Sequence, residues 1–170
     1  MAASRSKTAN VAFSALFLLV APGTFAGFVP WLISSWHWGP AFFGIDILRW
    51  VGAALIAAGV FALIDSFARF AVQGLGTPAP PMPPRRLVIT GAYRYVRNPM
   101  YLANLAVVVG QALLLGNPRL LVYAAFAAIL VHVFVIGYEE PTLRRKFGAE
   151  YTAMCLNVPR WLPRLTPWSG

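Results

Sequence analysis

Four long apolar stretches separated by short polar ones dominate the chain: residues 9–33, 47–73, 100–115 and 120–138 carry few charges or none. A helical crossing of a bilayer needs about 17–25 apolar residues, so the pattern predicts an all-α, polytopic membrane helix bundle of about four spans. Pro22-Gly23 falls inside the first stretch and predicts a kink there, or a break that raises the count to five. A cleavable leader is the weaker reading, because apolar character continues through Phe28, Val29, Trp31, Leu32 and Ile33. Gly116-Asn117-Pro118-Arg119 joins the third and fourth stretches and is short enough to require a tight antiparallel hairpin. Beyond the fourth stretch, Leu143, Phe147, Tyr151 and Met154 recur at helical spacing and predict an amphipathic interfacial helix over residues 141–155.

Composition agrees with the pattern. The chain is 59% hydrophobic and 11% charged, against about 25% charged in soluble domains. Arg5, Lys7, Arg85, Arg86, Arg94, Arg97, Arg144, Arg145, Lys146, Arg160 and Arg164 fall on one side of the spans, whereas Arg49 and Arg119 fall on the other. Basic residues concentrate in cytoplasmic loops. Both termini and the long loop 74–98 are therefore expected to be cytoplasmic, in the inner membrane if the source is prokaryotic. The net charge of +9 fits a basic rim on anionic headgroups better than a nucleic-acid surface. A single cysteine, Cys155, leaves no disulfide framework or thiolate cluster, and His37 and His132 lie on opposite halves of the chain, so no metal site is expected.

One membrane domain, 1–170, accounts for the whole length, with N-terminal spans over 9–73 and a distinct region over 74–163. The loop opens with five prolines between Thr77 and Pro84, an extended and stiff segment. Ionisable groups inside spans are costly and point to function by default. Asp65, Arg69 and Gln73 share one helix face, as an internal salt bridge or a working polar surface. Tyr101, Asn104 and Gln111 form a stripe on the third span, lining a cavity or bonding to neighbouring helices. His132 lies on the fourth span seven residues before Glu139, as a packing residue or a substrate contact. Cys155 reads as a packing residue, and His37, between Trp36 and Trp38, as part of an aromatic interfacial belt.

The densest chemistry lies in residues 91–101, with three tyrosines, two arginines and a proline placed to start a helix. Backbone N–H groups freed at that helix start can bind a carboxylate, while Glu139 and Glu140 can hold an ammonium or a ribose diol. The hairpin makes these two ends neighbours. A cationic and an anionic anchor side by side suit a zwitterionic polar ligand, although a plain basic flank of solvated charges has the same composition.

Residues 91–101, Glu139-Glu140-Pro141-Thr142-Leu143, Phe147-Gly148-Ala149-Glu150-Tyr151 and Val158-Pro159-Arg160-Trp161-Leu162-Pro163 together resemble the signature of the isoprenylcysteine carboxyl methyltransferase and phospholipid methyltransferase superfamily. The resemblance covers residues 77–163. It implies an integral membrane methyltransferase with S-adenosylmethionine as cofactor and a lipophilic substrate drawn from the bilayer. The family motif Arg-His-Pro-x-Tyr-x-Gly reads Arg97-Asn98-Pro99-Met100-Tyr101-Leu102-Ala103 here. Asn98 replaces a histidine and cannot accept a proton near neutral pH, and Ala103 replaces a glycine. Carried over by position, the resemblance implies cofactor binding by Tyr95, Arg97, Asn98, Pro99, Tyr101, Leu102, Glu139 and Glu140. Tyr151, Pro159, Arg160 and Trp161 would close over the adenine, and Glu140, Arg144 and Asn98 would be the catalytic candidates. Asn104, Gln111 and His132 would line the path of the apolar substrate. A nicotinamide-dependent membrane reductase shares the segment Tyr-x-x-x-Arg-Asn/His-Pro-x-Tyr, and a non-catalytic membrane scaffold is the third reading.

Overall fold

The computed structural model describes Leu16, residues 19–72 and residues 87–169, with side chains omitted for 70–72. The proline-rich stretch, Gln73, Arg85 and Arg86 lie outside the described residues, as do Arg5 and Lys7. No strand occurs among the described residues, which form α1 (Leu19–Ser34), α2 (Ile47–Val72), α3 (Pro99–Leu115), α4 (Pro118–Phe147) and α5 (Ala149–Asn157).

Pro22-Gly23 does not divide α1. The helix continues through it and widens into a π turn at Thr24–Phe28, where the Val29 N–H reaches back five residues to the Thr24 carbonyl. A second π turn, Val135–Glu139, occurs in α4, with the Glu140 N–H on the Val135 carbonyl. In each case a proline, Pro30 or Pro141, follows two residues later. A proline removes one hydrogen bond and crowds the carbonyl four residues back, and the widened turn relieves both demands. The fourth helix therefore runs past Tyr138 to Phe147 instead of ending at the predicted boundary. The helix expected over 141–155 is two: the last turns of α4, and α5 after Gly148, whose φ of 52° stops the first.

Helix α3 lies along α2, and small residues permit the approach. A methyl group at Gly110 would stand 2.6 Å from the Gly52 carbonyl oxygen, and one at Gly59 would stand 2.7 Å from that of Ala103. Leu63 and Phe67 of α2 bury against Ala103 below this crossing. The hairpin from α3 to α4 is as short as its residues require. Asn117 caps α4 by accepting the Arg119 N–H at 3.0 Å, and Pro118 opens the helix. Gly116 leaves no room for a side chain, because a Cβ there would strike the Pro40 carbonyl.

Helix α1 braces the far end. Its π turn leaves carbonyls without helical partners, and Gln111 Nε2 donates to that of Ala26 at 2.6 Å while Tyr123 Oη donates to that of Phe25 at 2.9 Å. Arg49 closes the same end by donating to the carbonyls of Leu114 and Gly39.

Two helices, Ile47–Arg69 within α2 and Pro118–Phe147, are long and apolar enough to cross a membrane; α1 and α3 are shorter apolar helices. Only 17% and 22% of the apolar windows of these two are buried, so they are not the core helices of a soluble domain. Most of this apolar surface has no protein cover, as expected of a membrane protein.

Candidate active site

The start of α3 and the π turn of α4 meet at one end of the bundle. Glu140 is buried, and Arg97 donates to it from Nη1 at 3.0 Å. Arg160 forks onto the same carboxylate, Nε to Oε1 at 2.6 Å and Nη2 to Oε2 at 3.0 Å. A buried carboxylate demands such compensation, and the forked guanidinium matches its shape. Arg97 also points Nη1 at Cys155 Sγ, 2.9 Å away, so the thiol packs against the charge cluster. Glu139, one residue earlier, faces a different group and accepts the Tyr101 hydroxyl at 2.8 Å. Tyr93 stands nearby, and burial, reinforced by the Glu139 charge, pushes its phenol well above the ordinary value. Burial does the same for Tyr151. Both phenols therefore stay protonated at neutral pH.

The C-terminal residues 158–168 form an irregular, repeatedly bent strap over this site. The Pro159 carbonyl accepts the Arg97 N–H at 2.9 Å, and the Arg160 carbonyl accepts Asn98 Nδ2 at 3.2 Å. Further along, the Arg164 N–H donates to the Tyr95 carbonyl and the Trp168 N–H to that of Arg94, each at 3.0 Å. Arg94 Nε returns a bond to the Trp168 carbonyl at 2.6 Å. Beneath the strap, Tyr151, Met154 and Val158 bury against Leu87, Tyr93, Leu143, Phe147, Cys155 and Trp168.

The structure thus brings together Arg97, Asn98, Pro99, Tyr101, Glu139, Glu140, Pro159 and Arg160, with Tyr151 in the cluster below them. Tyr95 contributes its carbonyl, and Leu102 bonds through its N–H to the Asn98 carbonyl at 3.3 Å. Other expected residues lie elsewhere. Arg144 stands exposed over the Tyr151 ring at 6.0 Å, outside the ion-pair network. Gln111 is committed at the far end to Ala26 and to Trp36, whose Nε1 donates to it at 3.2 Å. His132 accepts the Trp161 indole N–H at 2.9 Å, so Trp161 reaches the flank of α4. Asp65 and Arg69 form the internal salt bridge, at 2.8 Å, and the Arg69 guanidinium lies across Gly91, where any Cβ would collide with it. Sequence reasoning passed over Tyr93 as a site residue, although its place two residues before Tyr95 in the 91–101 segment marked it.

Three buried polar atoms have no hydrogen-bond partner among the described residues: Ser66 Oγ, Arg97 Nε and Asn104 Oδ1. Asn104 spends its amide N–H on the Met100 carbonyl at 3.1 Å, which leaves the oxygen as an acceptor. The start of α3 is also without a side-chain cap from Asn98, and Pro99 at its first position has no N–H to satisfy. A separate hollow of about 340 Å³ lies at the opposite end, lined by residues that include His37, Trp38 and Arg119. It is remote from both carboxylates.

The phospholipid methyltransferase family model matches residues 47–150, more than half of the chain. The chain belongs to this family. The match begins at α2, upstream of the residues that carried the resemblance, and stops before the strap. A phosphatidylethanolamine N-methyltransferase from Phaeosphaeria nodorum is 31% identical over 119 residues, which cover 66% of this chain and 12% of that protein. Protein-S-isoprenylcysteine O-methyltransferase B from Arabidopsis thaliana is 35% identical over 80 residues, 46% of this chain and 40% of its own length. The nickel-cobalt-cadmium resistance protein NccN from Alcaligenes xylosoxydans xylosoxydans is 27% identical over 122 residues, 69% of this chain and 54% of its own. The chain therefore spans between 12% and 54% of the length of these relatives. No solved structure matches it. Membership of the phospholipid methyltransferase family sets the nicotinamide reductase reading aside.

Proposed function

We propose that this family member transfers a methyl group from S-adenosylmethionine to a lipophilic acceptor that arrives from the bilayer. The observation that supports it is the meeting of the start of α3 with Glu139 and Glu140 through Arg97 and Tyr101. That arrangement offers a carboxylate site and an ammonium or diol site side by side. The N–H groups of Met100 and Tyr101 in the first turn of α3 and Arg97 Nε suit the carboxylate of the cofactor, and Glu139 suits its ammonium or ribose. When bound, the cofactor supplies a methyl group already activated on a sulfonium. The chain has to bind, align and exclude water.

The two carboxylates take different roles in this reading. Glu140 holds two guanidiniums and fixes the strap, so it positions the site. Glu139 accepts the Tyr101 hydroxyl, and its carboxylate is the candidate acceptor for a proton released by an amine. Asn98, hydrogen-bonded to the strap, supports the closed arrangement and takes no proton. Asn104, with its free carbonyl oxygen one turn above Tyr101, lines the acceptor path.

Helices α1 to α4 cross the membrane four times in this reading, with the site at the cytoplasmic surface, where the basic residues concentrate. The deciding experiment is photocrosslinking of tritiated S-adenosylmethionine to purified protein, competed by S-adenosylhomocysteine or by NADPH. Label displaced by S-adenosylhomocysteine, together with lipid species heavier by one methylene after incubation, is the expected result. Label that only NADPH displaces would sink the reading.

A further inference from the structure

The strap has a second face. Pro159, Pro163 and Pro167 recur every four residues, and each removes an N–H group that would need a partner in an apolar setting. Its inner edge is spent on residues 94–98 and on Glu140. Trp161 leaves that edge and docks on α4, with its indole N–H on His132 Nδ1 at 2.9 Å and the two rings 5.9 Å apart. His132 lies seven residues before Glu139, roughly 10 Å up the helix, inside the apolar stretch Pro118–Phe147. Around it Ile129, Val133 and Ile136 are all exposed. The strap therefore reaches the uncovered apolar flank of a spanning helix. Beside Trp161, Leu162 is 79% exposed and Leu165 is 98% exposed. Between Arg144 and Glu150 the exposed ionisable residues are Arg144, Arg145, Lys146 and Glu150, three cations and one carboxylate.

We propose that the strap is seated in the anionic leaflet on its own side of the membrane through Leu162 and Leu165. Leucines standing clear of the protein, continuous with the lipid face of α4 and next to a cationic cluster, are what an interface of acyl chains and negative headgroups holds. The proline spacing and the satisfied indole suit that depth. Because Arg160 lies in the same strap and forks onto Glu140, seating also keeps the carboxylate network closed. The charge of the leaflet thereby regulates the site. The inference rests on α4 as a span, and its consequence for activity rests on the proposed function.

The test places the photoreactive residue p-benzoylphenylalanine at position 165 of the full chain, in nanodiscs of phosphatidylcholine alone or mixed with phosphatidylglycerol. Expected are acyl-chain adducts, several-fold more abundant with phosphatidylglycerol, and trypsin cleavage after Arg164 slowed several-fold in the same discs. The double substitution L162E/L165E, made in the unlabelled chain, should restore fast cleavage in both lipids. Absence of lipid adducts, equal cleavage in the two lipids, or an adduct to protein in place of lipid would overturn the proposal. Adducts formed without any methyl transfer would keep the strap in the leaflet and overturn the enzymatic reading alone.

Discussion

Glu139 and Glu140 are neighbours in sequence with separate partners, because successive residues on a helix point to different sides. Glu140 meets Arg97 and Arg160 in a buried charge network. The substitution Glu140→Gln strips the charge from between two guanidiniums, one of them 9% and the other 31% exposed. Loss of one partner of a buried ion pair costs about 3 kcal/mol, visible as a lowered melting temperature in detergent. Tyr101→Phe removes one hydrogen bond to a carboxylate, worth about 1.5–3 kcal/mol. It should lower the melting temperature by less than Glu140→Gln does, and weaken S-adenosylmethionine binding about tenfold or more, measured by equilibrium dialysis. A Tyr101→Phe protein that binds the cofactor as well as the wild type would remove Glu139 from the site. The sequence places both carboxylates next to the start of α3, although they lie within α4 and not at its end. It does not show which of the two is clamped, because Arg160, twenty residues away, reaches Glu140 only through the fold.

At the scale of elements, the α2–α3 contact depends on glycines at Gly52, Gly59 and Gly110. Gly110→Leu inserts a side chain where a single carbon already lies 2.6 Å from backbone oxygen, so the two helices must separate. Overpacking of this kind costs about 1–3 kcal/mol and should lower the yield of monodisperse protein on gel filtration. Gly137→Ala, in the π turn with open space around it, should leave the elution profile intact. Helix types and three of the starts are legible from apolar run length and capping residues. The π turns are not, because Pro22-Gly23 reads locally as a kink or break and Pro141 as the start of a separate helix. Only packing shows that α1 and α4 widen and continue, with Gln111 and Tyr123 occupying the carbonyls freed in α1. The same packing takes Gln111 out of the expected substrate stripe.

At the scale of the whole molecule, the positive-inside distribution predicts opposite exposure of the two ends of the bundle. Cysteine substitutions Arg145→Cys and Arg119→Cys, both at exposed positions, should label with a membrane-impermeant maleimide from opposite faces of sealed vesicles. The unsubstituted chain reports the background from Cys155. Labelling of both from one face would overturn the four-span arrangement and, with it, the lateral entry of substrate.

Apolar stretches of spanning length, the short connection at residues 116–119 and the motif at residues 97–101 are properties of short segments, so the sequence alone determines the helical membrane class and points to the family. Which carboxylate is clamped, which tryptophan leaves the site and how the tail lies are decided only in three dimensions. Those contacts join residues 43 and 62 positions apart, as in Arg97–Glu140 and Asn98–Arg160. Local propensity carries no record of such pairings, because a charge is placed by the path of the entire chain.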